Sequence, residues 1–190
     1  MTPLTGSVTE RDIQIVSAQL GRPARNVIAV PARCVCGAPA VVTTAPRLAD
    51  GTPFPTLYYL THPAATAEMS RLEAAQFMTE CTELLESDPD IAVAYRAAHR
   101  SYLAEREAVA VVPELAQTSA GGMPVRVKCL HALCAHALAA GPGVNPIGDL
   151  ALARSRWTPS VCQCPEYPPV GESEGGGVSV CQCAGSGSCR

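Results

Sequence analysis

Three runs decide the fold: Asn26-Val27-Ile28-Ala29-Val30-Pro31-Ala32, Ala40-Val41-Val42-Thr43-Thr44 and Thr56-Leu57-Tyr58-Tyr59-Leu60-Thr61. Each is short, rich in β-branched or aromatic residues and bounded by turn-forming residues, the pattern of strands. Asp50-Gly51 lies between the second and third runs. Glycine tolerates the positive φ that a tight reversal needs, so these two runs are expected to form a hairpin, with Pro53 and Pro55 making the return irregular. The three together predict a small antiparallel sheet. Upstream, Thr9 and Asp12 stand three apart, as in a capping box in which a hydroxyl and an acid satisfy each other's free backbone N–H groups. Ile13, Val16 and Leu20 then recur at helical spacing, and Gly21 with Pro23 ends that helix.

After His62 the period changes. Ala65, Met69, Leu72, Phe77, Cys81 and Leu84 keep a helical stripe opened by Pro63, a residue suited to a first turn because it has no N–H to leave unpaired. Ser87-Asp88-Pro89 caps a second helix, with Ile91, Tyr95, Ala98 and Tyr102 on one face. The two are expected to pair as an antiparallel hairpin over residues 63–109. A looser stretch follows from Val112 to Gly122. A third helical segment is expected from Pro124 through Ala140, stopped by Gly141-Pro142-Gly143, with Asn145-Pro146 continuing as loop. The predicted class is α+β: a three-stranded antiparallel sheet packed against a helical hairpin and a further helix, forming one domain over residues 1–153. From 154 to 190 Gly, Ser, Pro, Glu and Cys dominate, and Ser160-Val161-Cys162-Gln163-Cys164 recurs as Ser179-Val180-Cys181-Gln182-Cys183. No hydrophobic period accompanies the repeat, which predicts a disordered tail.

Composition narrows the function classes. A net charge of −3 argues against a nucleic-acid partner, and 4% aromatic residues are too few for a base-stacking platform. The first ten residues lack the charged and apolar regions of a signal peptide, and no apolar run approaches a membrane span. The expected location is the cytoplasm. In 190 residues a core can form without staples, so ten cysteines in a reducing compartment point to metal or redox chemistry more than to bridges.

Three places carry candidate ligands. Cys34-Val35-Cys36-Gly37 sets two thiols one residue apart on a turn that Gly37 allows to close around an ion. His62 stands where strand gives way to helix. The densest stretch is Lys128-Cys129-Leu130-His131-Ala132-Leu133-Cys134-Ala135-His136. On a helix Cys129 and His136 share a face but stand two turns apart, roughly 10 Å, and His131 reaches Cys129 only if the segment is non-helical at its start. Cys34, Cys36, His62 and Cys129 make a sulfur-rich set for zinc, with His131 or His136 as an alternative ligand or as a partner beside it. An iron–sulfur centre ranks behind zinc. The first alternative is an enzyme with Cys129 as nucleophile, Lys128 and Arg126 favouring its thiolate, His131 or His136 as base, and the Gly121-Gly122 loop as an anion cradle. The second is an adaptor whose helical hairpin docks a protein partner. Cys81 and Cys134 read as small core residues. The five cysteines from Cys162 onward carry no functional assignment in this reading.

Arg33-Cys34, Thr43-Thr44-Ala45-Pro46, the stretch Asp50-Gly51-Thr52-Pro53-Phe54-Pro55-Thr56-Leu57-Tyr58-Tyr59-Leu60-Thr61-His62-Pro63, Ser70-Arg71-Leu72-Glu73, Arg126-Val127-Lys128-Cys129-Leu130-His131 and Asn145-Pro146-Ile147-Gly148 together resemble the bacterial domain of unknown function 501 family, over residues from about 10 to 153. The family's pattern has Arg-Cys-Pro-x-Gly where this chain has Arg33-Cys34-Val35-Cys36-Gly37, and Thr-Cys-Pro or Thr-His-Pro where it has Thr61-His62-Pro63. The interchange of Cys and His at position 62 is the one expected of a soft metal ligand. The resemblance implies no established activity, and it leaves out the cysteine-rich C-terminus.

Overall fold

The computed structural model describes residues 7–167. Helix α1 (Glu10–Leu20) precedes strands β1 (Val27–Arg33), β2 (Pro39–Thr44) and β3 (Tyr58–Leu60), which form one antiparallel sheet in the order β1-β2-β3. Helices α2 (Pro63–Ala74), α3 (Phe77–Ser87), α4 (Pro89–Val109), α5 (Leu130–Ala140) and α6 (Pro146–Arg154) follow, with a 3-10 turn at Pro113–Leu115. The class is α+β, as the sequence predicts.

The central strand sets the layers. Every residue of β2 is buried, and successive side chains of a strand point to opposite faces. Val42 packs with Val16 of α1 and Val30. Its neighbour Val41 joins the main core with Leu60, Met69, Leu72, Tyr95, Tyr102, Leu130 and Leu133. The sheet is therefore covered by α1 on one side and by the helical layer on the other, with α5 lying against all three strands.

Local chemistry explains the helix ends. The Thr9 hydroxyl accepts the Asp12 N–H at 3.1 Å and the Asp12 carboxylate accepts the Thr9 N–H at 3.0 Å, which completes the expected capping box. Asp88 caps α4 by accepting the N–H groups of Asp90 and Ile91. Three expectations are corrected. The stripe from Ala65 to Leu84 belongs to two helices, because the backbone breaks at Ala75-Gln76, where Gln76 has φ 64°. The stripe survives since both helices face the same core. The third helix starts at Leu130, six residues after Pro124, because Lys128 N–H bonds Gly121 O and Arg126 N–H bonds Gly122 O, closing a loop before it. Asn145-Pro146 begins a helix: the Asn145 side chain accepts the Gly148 N–H at 3.0 Å and Pro146 fills the first turn.

The expected tail divides. Residues 155–167 lie against the domain: Trp157 is 2% exposed, Val35 N–H donates to Pro159 O at 2.8 Å, and Gln19 Nε2 donates to Tyr167 OH at 2.9 Å. The rest of that tail, 168–190, with the repeat's second copy, lies outside the described residues. No helix among the described residues is long and apolar enough to cross a membrane.

Candidate metal centre

The loop between β1 and β2 is a tight turn. Cys34 N–H donates to Ala38 O at 2.9 Å, and Gly37 N–H donates to Cys34 O at 2.8 Å with Gly37 at φ 89°. That geometry turns Cys34 and Cys36 toward the same side. Arg33 holds the turn from outside, donating from one guanidinium nitrogen to Gly37 O at 2.9 Å and pairing with Asp12 at 2.6 and 2.9 Å. The opposing face comes from the segment after α6. Val161 N–H bonds Thr158 O at 3.3 Å, a second turn that carries Cys162 and Cys164 up to the hairpin.

The sulfurs of Cys34, Cys36, Cys162 and Cys164 all lie within 4.8 Å of one another, and those of Cys36 and Cys164 are 3.4 Å apart. None of the four is in a disulfide. Ile15, Ala38 and Tyr167 pack around them. Burial pushes the Cys34 thiol up to about 11, against a lowering hydrogen bond from the Cys36 backbone, with the Cys36 side chain adding to the rise. Cys164 is raised further by burial and by Cys36 and Cys34. A cation bound among the four sulfurs would take the place of their protons.

His62, fully buried and preceding Pro63 at the start of α2, meets this cluster at one point: its Nε2 is 3.2 Å from Cys164 Sγ. Its ring leans on Trp157, centroids 5.1 Å apart. Burial lowers its pKa, and an Nε2–H donating to Cys164 would steady a thiolate there. The strand-to-helix junction thus points this ring inward.

Cys129 does not join Cys34, Cys36 and His62. It precedes α5 in an extended conformation and falls in a separate group with Glu73 and His131, again within 4.8 Å. The helix begins after Cys129, which meets the condition for His131 to approach it: Sγ to Nδ1 is 4.0 Å. The Glu73 carboxylate lies 3.1 Å from the same Nδ1 and accepts the Leu130 N–H at 2.7 Å. It therefore occupies the N-terminus of α5, where the glycine loop was expected to cradle an anion. The Cys129 sulfur raises His131 to about 9, and Glu73 adds to this against the effect of burial. Lys128 is exposed.

His136 is a core residue. It is fully buried, stacks on Tyr58 at 5.8 Å and 10°, meets Tyr102 edge-on at 5.3 Å, and lies 3.2 Å from the Asn145 side chain through Nδ1. Burial lowers its pKa. Sequence reasoning missed Cys162, Cys164 and Glu73. The signal for the first two was present, since Cys162-Gln163-Cys164 repeats the spacing of Cys34-Val35-Cys36.

Fold and cluster together define a small α+β protein with four thiols gathered where a β-hairpin meets the segment after its last helix. The family described as "Protein of unknown function (DUF501)" matches residues 30–153, and the chain belongs to it. Cys34, Cys36, His62, Glu73, Cys129 and His131 lie inside the match; Cys162 and Cys164 lie beyond it. No curated protein and no solved structure matches the chain.

Proposed function

We propose that this protein is a zinc-stabilised module in which Cys34, Cys36, Cys162 and Cys164 bind one ion and tie the C-terminal segment to the β-hairpin. The observation that carries this reading is the mutual approach of four sulfurs from two Cys-x-Cys turns. A tetrahedral ion with metal–sulfur bonds of about 2.3 Å sets its sulfurs about 3.8 Å apart, close to what these turns present. Such spacing suits one ion better than a cluster containing inorganic sulfide, and zinc or iron are the metals that a four-thiolate set favours. A shell of four protein ligands leaves no position for substrate, so the role is structural. His62 acts beside the set through Cys164 and is not a ligand. The reading needs a compartment that keeps thiols reduced, which the cytoplasm supplies.

Metal analysis of the full chain purified under reducing conditions tests it. To silence the other tail cysteines and the group at Cys129, the starting chain carries Cys181→Ser, Cys183→Ser, Cys189→Ser and Cys129→Ser. It should retain tightly bound zinc. Adding Cys162→Ser with Cys164→Ser should abolish the chelator-resistant ion, leaving less than about a tenth of an equivalent. Tight binding that survives this double substitution would overturn the assignment.

A further inference from the structure

We propose that Glu73, Cys129 and His131 form a second metal site of a different kind: an open one, which offers zinc a thiolate, an imidazole nitrogen and a carboxylate oxygen and leaves a fourth position for water or an anionic ligand. The proposal is independent of the four-thiol site.

Glu73 stands in the last turn of α2, Cys129 immediately precedes α5 and His131 lies in the first turn of α5, and one ligand atom from each falls within 4.8 Å of the others. The far side of the ring is fixed by a different part of the chain. His131 Nε2 lies 3.1 Å from the carbonyl oxygen of Thr66 and 3.2 Å from Ser70 Oγ. A carbonyl oxygen only accepts, so Nε2 carries the hydrogen and the lone pair of the neutral ring sits on Nδ1. Metal-binding histidines are commonly oriented in this way, through a carbonyl on the nitrogen that does not bind the ion.

Nδ1 itself faces two electron-rich groups, the Cys129 sulfur at 4.0 Å and Glu73 Oε1 at 3.1 Å. A divalent ion placed among these three donor atoms would accept from all of them and draw them inward. Mixed sulfur, nitrogen and oxygen donors select zinc over magnesium or calcium.

The arrangement differs from a nucleophilic cysteine with a relayed base. In such a relay one ring nitrogen faces the thiol and the other faces the carboxylate. Here thiol and carboxylate share Nδ1, and the second nitrogen is committed to Thr66. Glu73 Oε1 also accepts the Leu130 N–H, which fixes the carboxylate beside the ring. The side chains of His131 and Glu73 are 26% and 24% exposed, so a fourth ligand has access from solvent. Three protein ligands and one exchangeable position make the arrangement in which zinc activates water or polarises a bound oxygen.

Cobalt(II) titration of the full chain carrying Cys181→Ser, Cys183→Ser and Cys189→Ser, under anaerobic reducing conditions, tests the proposal. Two equivalents should bind. Cys129→Ser and His131→Gln should each remove the second equivalent and leave the first. Glu73→Gln should weaken the second while its amide oxygen still accepts the Leu130 N–H, which separates loss of metal from loss of the helix start. Cys162→Ser with Cys164→Ser should do the reverse, removing the strongly absorbing first equivalent and sparing the second, so failure of either site is read without the other. Azide should shift only the bands of the second equivalent. A single equivalent in the starting chain, or a second that survives Cys129→Ser and His131→Gln, overturns the site; bands indifferent to azide overturn its open position.

Discussion

Asp12 does two jobs with one carboxylate: it closes the capping box of α1 and pairs with Arg33, whose guanidinium also grips Gly37 O in the cysteine turn. The N-terminal helix and the first Cys-x-Cys turn are thereby coupled through a single side chain. Burial alone would raise the Asp12 pKa, but the Arg33 hydrogen bonds and those from Thr9 outweigh it and hold the carboxyl below its ordinary value of 3.8. A carboxyl depressed in the folded state adds stability above that ordinary value and loses it as pH falls through the folded one. Asp12→Asn should therefore lower stability at neutral pH by about 1–2 kcal/mol, since Arg33 stays partly exposed and keeps some solvation. Thermal melts across pH check this. The gap between wild type and variant should narrow below pH 3.8; a gap that stays constant with pH would show that the pair contributes no charge-dependent stability.

At the scale of elements, the most extensive helix–helix contact is between α5 and α6. Gly148 sits one turn into α6, and a Cβ there would lie 2.7 Å from Ala137 Cβ and collide with the Leu133 carbonyl. The helices can approach this closely only because that position has no side chain. Gly148→Ala forces α6 outward and should cost about 1–3 kcal/mol in a denaturant melt, overriding the small gain in helix propensity that alanine brings. A stabilised variant would mean that α6 shifts freely on α5. This contact also shows which elements a sequence reveals. Helix α1 and the three strands were legible because each carries its own signal: a capping box, β-branched runs and an Asp50-Gly51 turn. Helix α6 was hidden behind Gly141, Pro142, Gly143 and Pro146, residues that read as breakers although Asn145 and Pro146 form a good helix start. The segment 155–167 was harder still. It has neither helical nor strand period, and it is held by Trp157, by one backbone bond to Val35 and by two cysteines whose partners lie more than a hundred residues earlier. Local pattern cannot report contacts of that sequence separation. The same holds for Cys129, whose neighbours His131 and Glu73 were separable from Cys34 and His62 only once α2 and α5 had been placed.

For the whole molecule, the position of the four-thiol cluster determines what losing a metal would do. The main core runs from Ala40 to Trp157 and draws on the sheet and on α2 through α6, whereas the cysteines belong to a small satellite cluster built on Ile15, Cys34 and Ala38. In a minimal zinc finger the ion replaces a core, and the chain unfolds without it. Here all of that core except Trp157 lies outside the strap, so removal of the proposed ion should release only the strap that it would tie down. Trp157 reports that release directly, because it is the chain's single tryptophan and is buried beside His62. Chelation under reducing conditions should therefore shift tryptophan emission to the red while far-UV circular dichroism keeps nearly all its helical signal. The apparent melting temperature should fall as expected when a ligand bound only to the folded state is withdrawn. Return of zinc should restore the emission. Simultaneous loss of helix signal on chelation would mean that the ion holds the entire domain together, and unchanged emission would mean that the strap stays docked without it.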